Sequence, residues 1–109
     1  MRKAKVIFKG EEAGILEQKD NGSFSFCYNL SWIEDERKPA ISLTLPKTRE
    51  VYYAQHLFPF FYNMLPEGTN KQVICKLNRI DRNDDFGLLM TTAKNDTIGA
   101  TTIQKIEDE

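Results

Sequence analysis

Several groups of residues in this 109-residue chain have types and spacings that could do chemistry. Asp85-Phe86-Gly87 spells the Mg²⁺-holding triplet of phosphoryl-transfer enzymes. That chemistry also needs a Gly-rich phosphate loop, a strand lysine and a His-Arg-Asp-type catalytic loop, and the sequence contains none of them. The triplet therefore reads as the first turn of a helix whose Phe86 reaches the core. Asp81, Asp84 and Asp85, interleaved with Arg79 and Arg82, could place carboxylates for acid–base work. Mixed charge at a helix entry is more simply capping and solvation, which is the preferred reading. His56, the one histidine, lies beside Leu57 and Phe58, with no HExxH, GxSxG or GxxxxGKS/T pattern around it. It reads as a boundary residue at a helix entry. Cys27 and Cys75 form no CxxC or Cys/His cluster, so free thiols are expected, with no metal and no cofactor. Arg2, Lys3, Lys5 and Lys9 could meet a phosphate backbone or an acidic partner. Lysines that guard an edge strand against unwanted pairing explain them more economically.

The elements that must position these residues follow from periodicity. Ala4, Val6 and Phe8 alternate with Lys3, Lys5, Ile7 and Lys9, a half-buried strand. Residues 10–14 read as a turn and 15–19 as a returning strand, with Asn21-Gly22 as a hairpin signal. Phe24, Phe26, Tyr28, Leu30 and Trp32 then share one face, a period of two that predicts a strand packed on one side. Residues 34–39 form a charged loop, and Ile41, Leu43 and Leu45 alternate as another strand ended by Pro46. Three short helices are expected to cover this meander. The first runs from Pro59 to about Met64, with the proline in its first turn. The second is capped by Thr69 or Asn70 and buries Val73, Ile74 and Leu77. The third is capped by Asn83 or Asp84 and turns Phe86, Leu89, Met90 and Ala93 to one side. A last strand over 98–103 precedes an acidic tail over 105–109. The expected fold class is α+β: a small antiparallel meander or partly closed sheet under three helices, one domain with an ordered core over about 3–104.

Composition narrows the function. Fifteen basic residues against 16 acidic ones leave a net charge of −1, which lacks the broad electrostatic footprint of an autonomous nucleic-acid binder. The apolar run 57–62 contains Pro59 and is too short to span a bilayer. No signal-peptide h-region follows the basic start, so a cytoplasmic location is expected. One feature stands apart. Tyr52, Tyr53, Phe58, Phe60, Phe61 and Tyr62 gather half of the aromatic residues into one short stretch. Consecutive helical positions differ by about 100°, so Phe60, Phe61 and Tyr62 fan out and cannot all face one sheet. Either part of this surface is exposed as a protein interface, or long loops and the third helix cover it. Spacing alone leaves both open.

Three segments carry a family resemblance. Ile41-Ser42-Leu43-Thr44-Leu45-Pro46, then the block from Leu57 to Gly68 that reads LFPFFYNMLPEG, then Asp84-Asp85-Phe86-Gly87-Leu88-Leu89 resemble the HipA amino-terminal subdomain. With the hairpin at 10–14 before them and Ile98-Gly99-Ala100 after, their order matches over nearly the whole chain. The middle block is the specific one. The resemblance implies a domain that precedes the kinase core in serine/threonine kinase toxins, which are held inactive with a helix-turn-helix DNA-binding antitoxin. The chain is too short for that core, and as a separate gene product it is similar to the HipS small subunit of three-component HipBST toxin–antitoxin systems.

By that resemblance the chain is no enzyme. It is expected to bind a HipA/HipT-like kinase and restrain it; the alternative is a scaffolding module of a toxin–antitoxin–DNA complex without inhibitory activity. A HipB-like protein would be reached through the complex, and DNA at most indirectly. The partner-binding residues are expected at Phe58, Phe60, Phe61, Leu65, Pro66, Glu67 and Gly68, with Thr69 and Asn70 at the edge. In relatives the position after Pro-Glu-Gly often carries Trp, a natural plug for a cleft. Here it is Thr69, so any blocking falls to the neighbouring aromatics.

Overall fold

The computed structural model describes residues 2–92 and 101–106. Among them are five strands and four helices: β1 (Arg2–Phe8), β2 (Glu11–Gln18), β3 (Phe24–Tyr28), α1 (Leu30–Glu34), β4 (Val51–Ala54), α2 (Pro59–Tyr62), α3 (Gly68–Asn78), α4 (Asp85–Thr92) and β5 (Thr101–Lys105). The strands form one open antiparallel sheet in the order β4-β3-β2-β1-β5, so the fold is α+β and the sheet does not close.

Local chemistry explains the first half. The β1–β2 turn is only Lys9-Gly10, both at positive φ (51° and 82°), the two-residue geometry that matches strand twist. The longer turn expected over 10–14 is thus strand from Glu11 onward. The Asn21-Gly22 hairpin forms as expected, with the Asn21 carboxamide oxygen accepting from the Ser23 N–H at 3.0 Å. Ala4, Val6, Leu16, Phe26 and Ile103 are fully buried from four neighbouring strands, and Phe61, Phe86, Leu88 and Leu89 from the helices. Phe86 stacks on Phe24 at 6.4 Å between ring centroids, and Phe61 meets Phe26 at 5.8 Å.

Three expected elements differ. The long strand stops at Tyr28, and Leu30–Glu34 is helical. Trp32 and Ile33 both donate backbone N–H groups to the Asn29 carbonyl, at 3.0 and 3.1 Å. One turn of helix sends Trp32 inward against Phe8 and leaves Leu30 exposed, where a strand would have kept them on one face. Ile41 to Leu45 is a loop. The buried Tyr28 hydroxyl accepts the Ile41 N–H at 3.1 Å and donates to the Leu45 carbonyl, so one phenol does the work of a ladder. Ile41 and Leu45 are buried while Leu43 between them is fully exposed. The fourth strand is instead Val51–Ala54, paired with β3 in the register Phe24↔Ala54 and Cys27↔Val51.

Two further readings are corrected. β1 lies between β2 and β5, so its lysines guard no edge; the edges are β4 and β5. Helix α3 buries Cys75 and half-buries Ile74, whereas Val73 and Leu77 face solvent. The last strand forms over Thr101–Lys105, pairing Ile103 with Val6. Its expected beginning at 98–100, with Ala93 and the tail at 107–109, lies outside the described residues.

Candidate functional site

The corner between α2 and α3 brings the expected site residues together. Phe58, with φ −57° and ψ 141°, sits just before Pro59 at the first helical position, and its carbonyl accepts from Phe61 and Tyr62 at 3.0 and 2.9 Å. Proline fits there because that N–H has no partner within a helix. The single turn fans its aromatics as anticipated. Phe61 is wholly buried, Phe60 half-buried and Tyr62 51% exposed. Phe61 is the hub, with ring centroids of Phe60 and Phe58 at 5.1 and 6.3 Å.

The nine expected residues divide by depth. Phe58, Phe61 and Leu65 belong to the core and shape the corner from beneath. Phe60 and Pro66 are half-buried, and Glu67, Gly68, Thr69 and Asn70 are exposed. Gly68 has φ +57°, a conformation that side-chain-bearing residues seldom adopt, although nothing lies within 4 Å of where a Cβ would be. Backbone shape, not space, demands glycine there.

Two concavities flank α2. A groove of about 360 Å³ is lined by Ser42, Thr44, Pro59, Phe60, Asn63 and Met64. The other, of about 210 Å³, is lined by Tyr62, Leu65, Pro66, Glu67, Gly68 and Lys71. Leu43 stands fully exposed between Ser42 and Thr44 at the rim of the first. Sequence reasoning placed Leu43 inside a strand and so missed it as surface. The available signal was the pair of prolines, Pro39 and Pro46, that bracket so short a segment.

Asp81, Asp84 and Phe86 each do structural work. His56 is exposed. No group of three or more His, Cys, Asp or Glu side chains among the described residues could hold a metal ion. Phe86 of the Asp-Phe-Gly triplet is fully buried. Asp84 accepts the Gly87 N–H at 3.1 Å, capping α4, and pairs with Arg2 at 2.6 Å. The Arg2 hydrogen bonds, then the Gly87 N–H, hold the Asp84 carboxyl below the usual carboxylate range against a partial burial that opposes them. Asp81 closes a turn by accepting the Asn83 N–H at 2.8 Å. The corner thus places apolar side chains at the mouth of shallow grooves, with polar groups around them.

Residues 4–104 match the family model described as the HipA N-terminal domain. The chain belongs to that family. The N-terminal domain of a HipA toxin has the same fold, with a TM-score of 0.74 and 29% identity over 100% of this chain and 96% of that one. An uncharacterized protein of Haemophilus influenzae is 33% identical over 105 residues, covering 96% of this chain and 93% of that protein. The candidate kinases Y4mE and Y4dM of Sinorhizobium fredii are each 30% identical; the chain spans only 21% and 27% of their lengths. The HipA N-terminal domain is thus similar both to a small protein of its own size and to a minor part of much longer chains.

Proposed function

We propose that this HipA N-terminal domain is a non-catalytic regulatory subunit that binds a HipA/HipT-type serine/threonine kinase toxin in the cytoplasm and restrains it. The observation that carries this reading is the family match together with the division of relatives. The same domain is one part of candidate kinases and nearly the whole of the Haemophilus protein. A domain that docks on a kinase core within one chain can dock on it as a separate chain through the same face. A helix-turn-helix protein and its operator DNA are then reached through the kinase.

The contact face is the exposed part of the α2–α3 corner: Phe60, Pro66, Glu67, Gly68, Thr69 and Asn70, with Leu43 and Met64 beside them. Phe58, Phe61 and Leu65 act on binding by holding that corner in shape. Thr69 is exposed but short, so restraint falls to Phe60 and its apolar neighbours.

Co-purification with a HipT-type kinase from the same genome, followed by a phosphorylation assay with and without this chain, tests the reading. Binding and a lowered kinase rate are expected. Phe60→Asp is expected to weaken binding about tenfold or more and, since its half-buried ring packs on Phe61, to lower the melting temperature while the chain stays folded. Phe61→Asp buries a charge and is expected to unfold the chain. Absence of binding overturns the proposal. Binding that leaves the kinase rate unchanged overturns restraint and leaves the scaffolding role.

A further inference from the structure

Helix α3 has a face that the fold leaves without a partner. Its inward side consists of Cys75, which is buried, with Ile74 and Lys71 half-buried. Thr69, Val73 and Leu77 stand four residues apart and therefore form one ridge along the helix. That ridge points away from the core, with Val73 48% and Leu77 77% exposed. A helix that buries one cysteine while displaying a valine and a leucine has its apolar residues on the wrong side for self-contained folding.

The electrostatic setting of the ridge is equally lopsided. From Gly68 to Arg82 the chain has Lys71, Lys76, Arg79 and Arg82 against one acid, Asp81, in a protein whose total charge is −1. Asp81 is engaged with the Asn83 N–H. Among the described residues, Lys71, Lys76, Arg79 and Arg82 all lack an ion-pair partner, as do most of the other cations, so what sets this stretch apart is their clustering with a single acid. An apolar ridge with unpaired cations beside it has the make-up of a protein interface, an apolar centre with a charged rim.

We infer that the Thr69–Val73–Leu77 ridge, with Lys76 and Arg79 on its flank, is a second docking surface that takes an apolar segment bearing carboxylates, supplied by the kinase. The inference rests on the proposed function for the identity of the partner. Charge decides between occupants. A second copy packed by two-fold symmetry would set the ridge's own cations against one another. A nucleic acid would be met by cations at the centre of contact, where the structure has Val73 and Leu77. An acidic protein surface satisfies both the apolar ridge and its rim. Because Thr69 also belongs to the α2–α3 corner, the two surfaces are continuous, and the kinase would wrap from the groove beside Phe60 along the length of α3.

The test is the affinity of the purified chain for the same HipT-type kinase, measured by calorimetry at low and high salt with Leu77→Asp and with the double variant Lys76→Glu/Arg79→Glu. Both changes lie on exposed positions, so melting temperatures near wild type are expected. Leu77→Asp is expected to weaken binding about tenfold or more. The double variant is expected to weaken it about tenfold at low salt, with the difference shrinking at high salt as charges are screened. Wild-type affinity in both variants overturns the inference and leaves the proposed function standing; a wild-type chain that binds no kinase overturns both. A wild-type dimer that Leu77→Asp converts to monomer overturns the kinase in favour of a second copy. Duplex DNA that binds wild type but not the double variant overturns it in favour of a nucleic acid.

Discussion

Asp84 serves two partners at once, capping α4 through Gly87 and holding Arg2 of the first strand, whose guanidinium also lies 5.0 Å from the centre of the Phe86 ring. The carboxylate passes so close to Gly87 that a Cβ there would lie 2.3 Å from Asp84 Oδ2. Gly87→Ala is therefore expected to displace the cap and cost about 1–2 kcal/mol in denaturant unfolding. In an Asp84→Ala background the same change is expected to stabilise by up to about 1 kcal/mol, since alanine is the better helix residue once the carboxylate is gone. Equal effects in the two backgrounds would refute the coupling. Asp84→Asn keeps one oxygen for the Gly87 N–H and loses the charge together with the second oxygen that accepts from Arg2. Because the Asp84 carboxyl titrates below its unfolded value, its contribution is present above the ordinary carboxylate range and is lost as pH falls through the folded value. The gap in melting temperature between wild type and Asp84→Asn is expected at neutral pH and should close below about pH 4. The Asp-Phe-Gly triplet thus owes its phenylalanine to the core and its glycine to a cap.

Among the elements, the loop over 39–46 shows how a single side chain can replace a strand. Tyr28 is buried, and burial pushes its phenol above the usual tyrosine value, so the hydroxyl remains a donor to Leu45 while accepting from Ile41. Tyr28→Phe keeps the ring but leaves a buried N–H and a buried carbonyl unpaired. A loss of about 1–3 kcal/mol is expected, with faster hydrogen exchange at Ile41 as the specific signature. This contact also marks where sequence reading stops. Periodicity revealed β1, β3, α2 and the capped start of α4, because each has a local cause: alternation, a turn dipeptide, Pro59 or Asp84. The residues at 41–45 alternate just as well, yet Tyr28 holds them by a contact across the chain that no local pattern encodes. Helix α1 was hidden for the complementary reason, since Trp32 prefers the pocket beside Phe8 to the register of the strand before it. At the candidate site, the fan of Phe60, Phe61 and Tyr62 followed from helical geometry. The exposure of Leu43 and of the Val73–Leu77 ridge depends on what each segment packs against.

For the whole molecule, the placement of β1 governs the rest. It is the first strand in sequence and lies inside the sheet, with β2 on one side and β5 on the other. Removing residues 101–109 would uncover a row of backbone donors and acceptors along β1 and strip Val6 of its neighbour Ile103. Such a truncated chain is expected to self-associate, read by light scattering, and to return to the scattering of the 109-residue chain when a peptide of residues 101–109 is added. A monodisperse, fully folded truncation would show that β5 is dispensable. The order of strands also sets a timetable. β1 is complete at residue 8, whereas its second neighbour does not exist until the ribosome has passed residue 101. Until then the nascent protein carries an unfinished sheet. Any partner that needs the finished surface therefore meets it only once β5 has paired with β1.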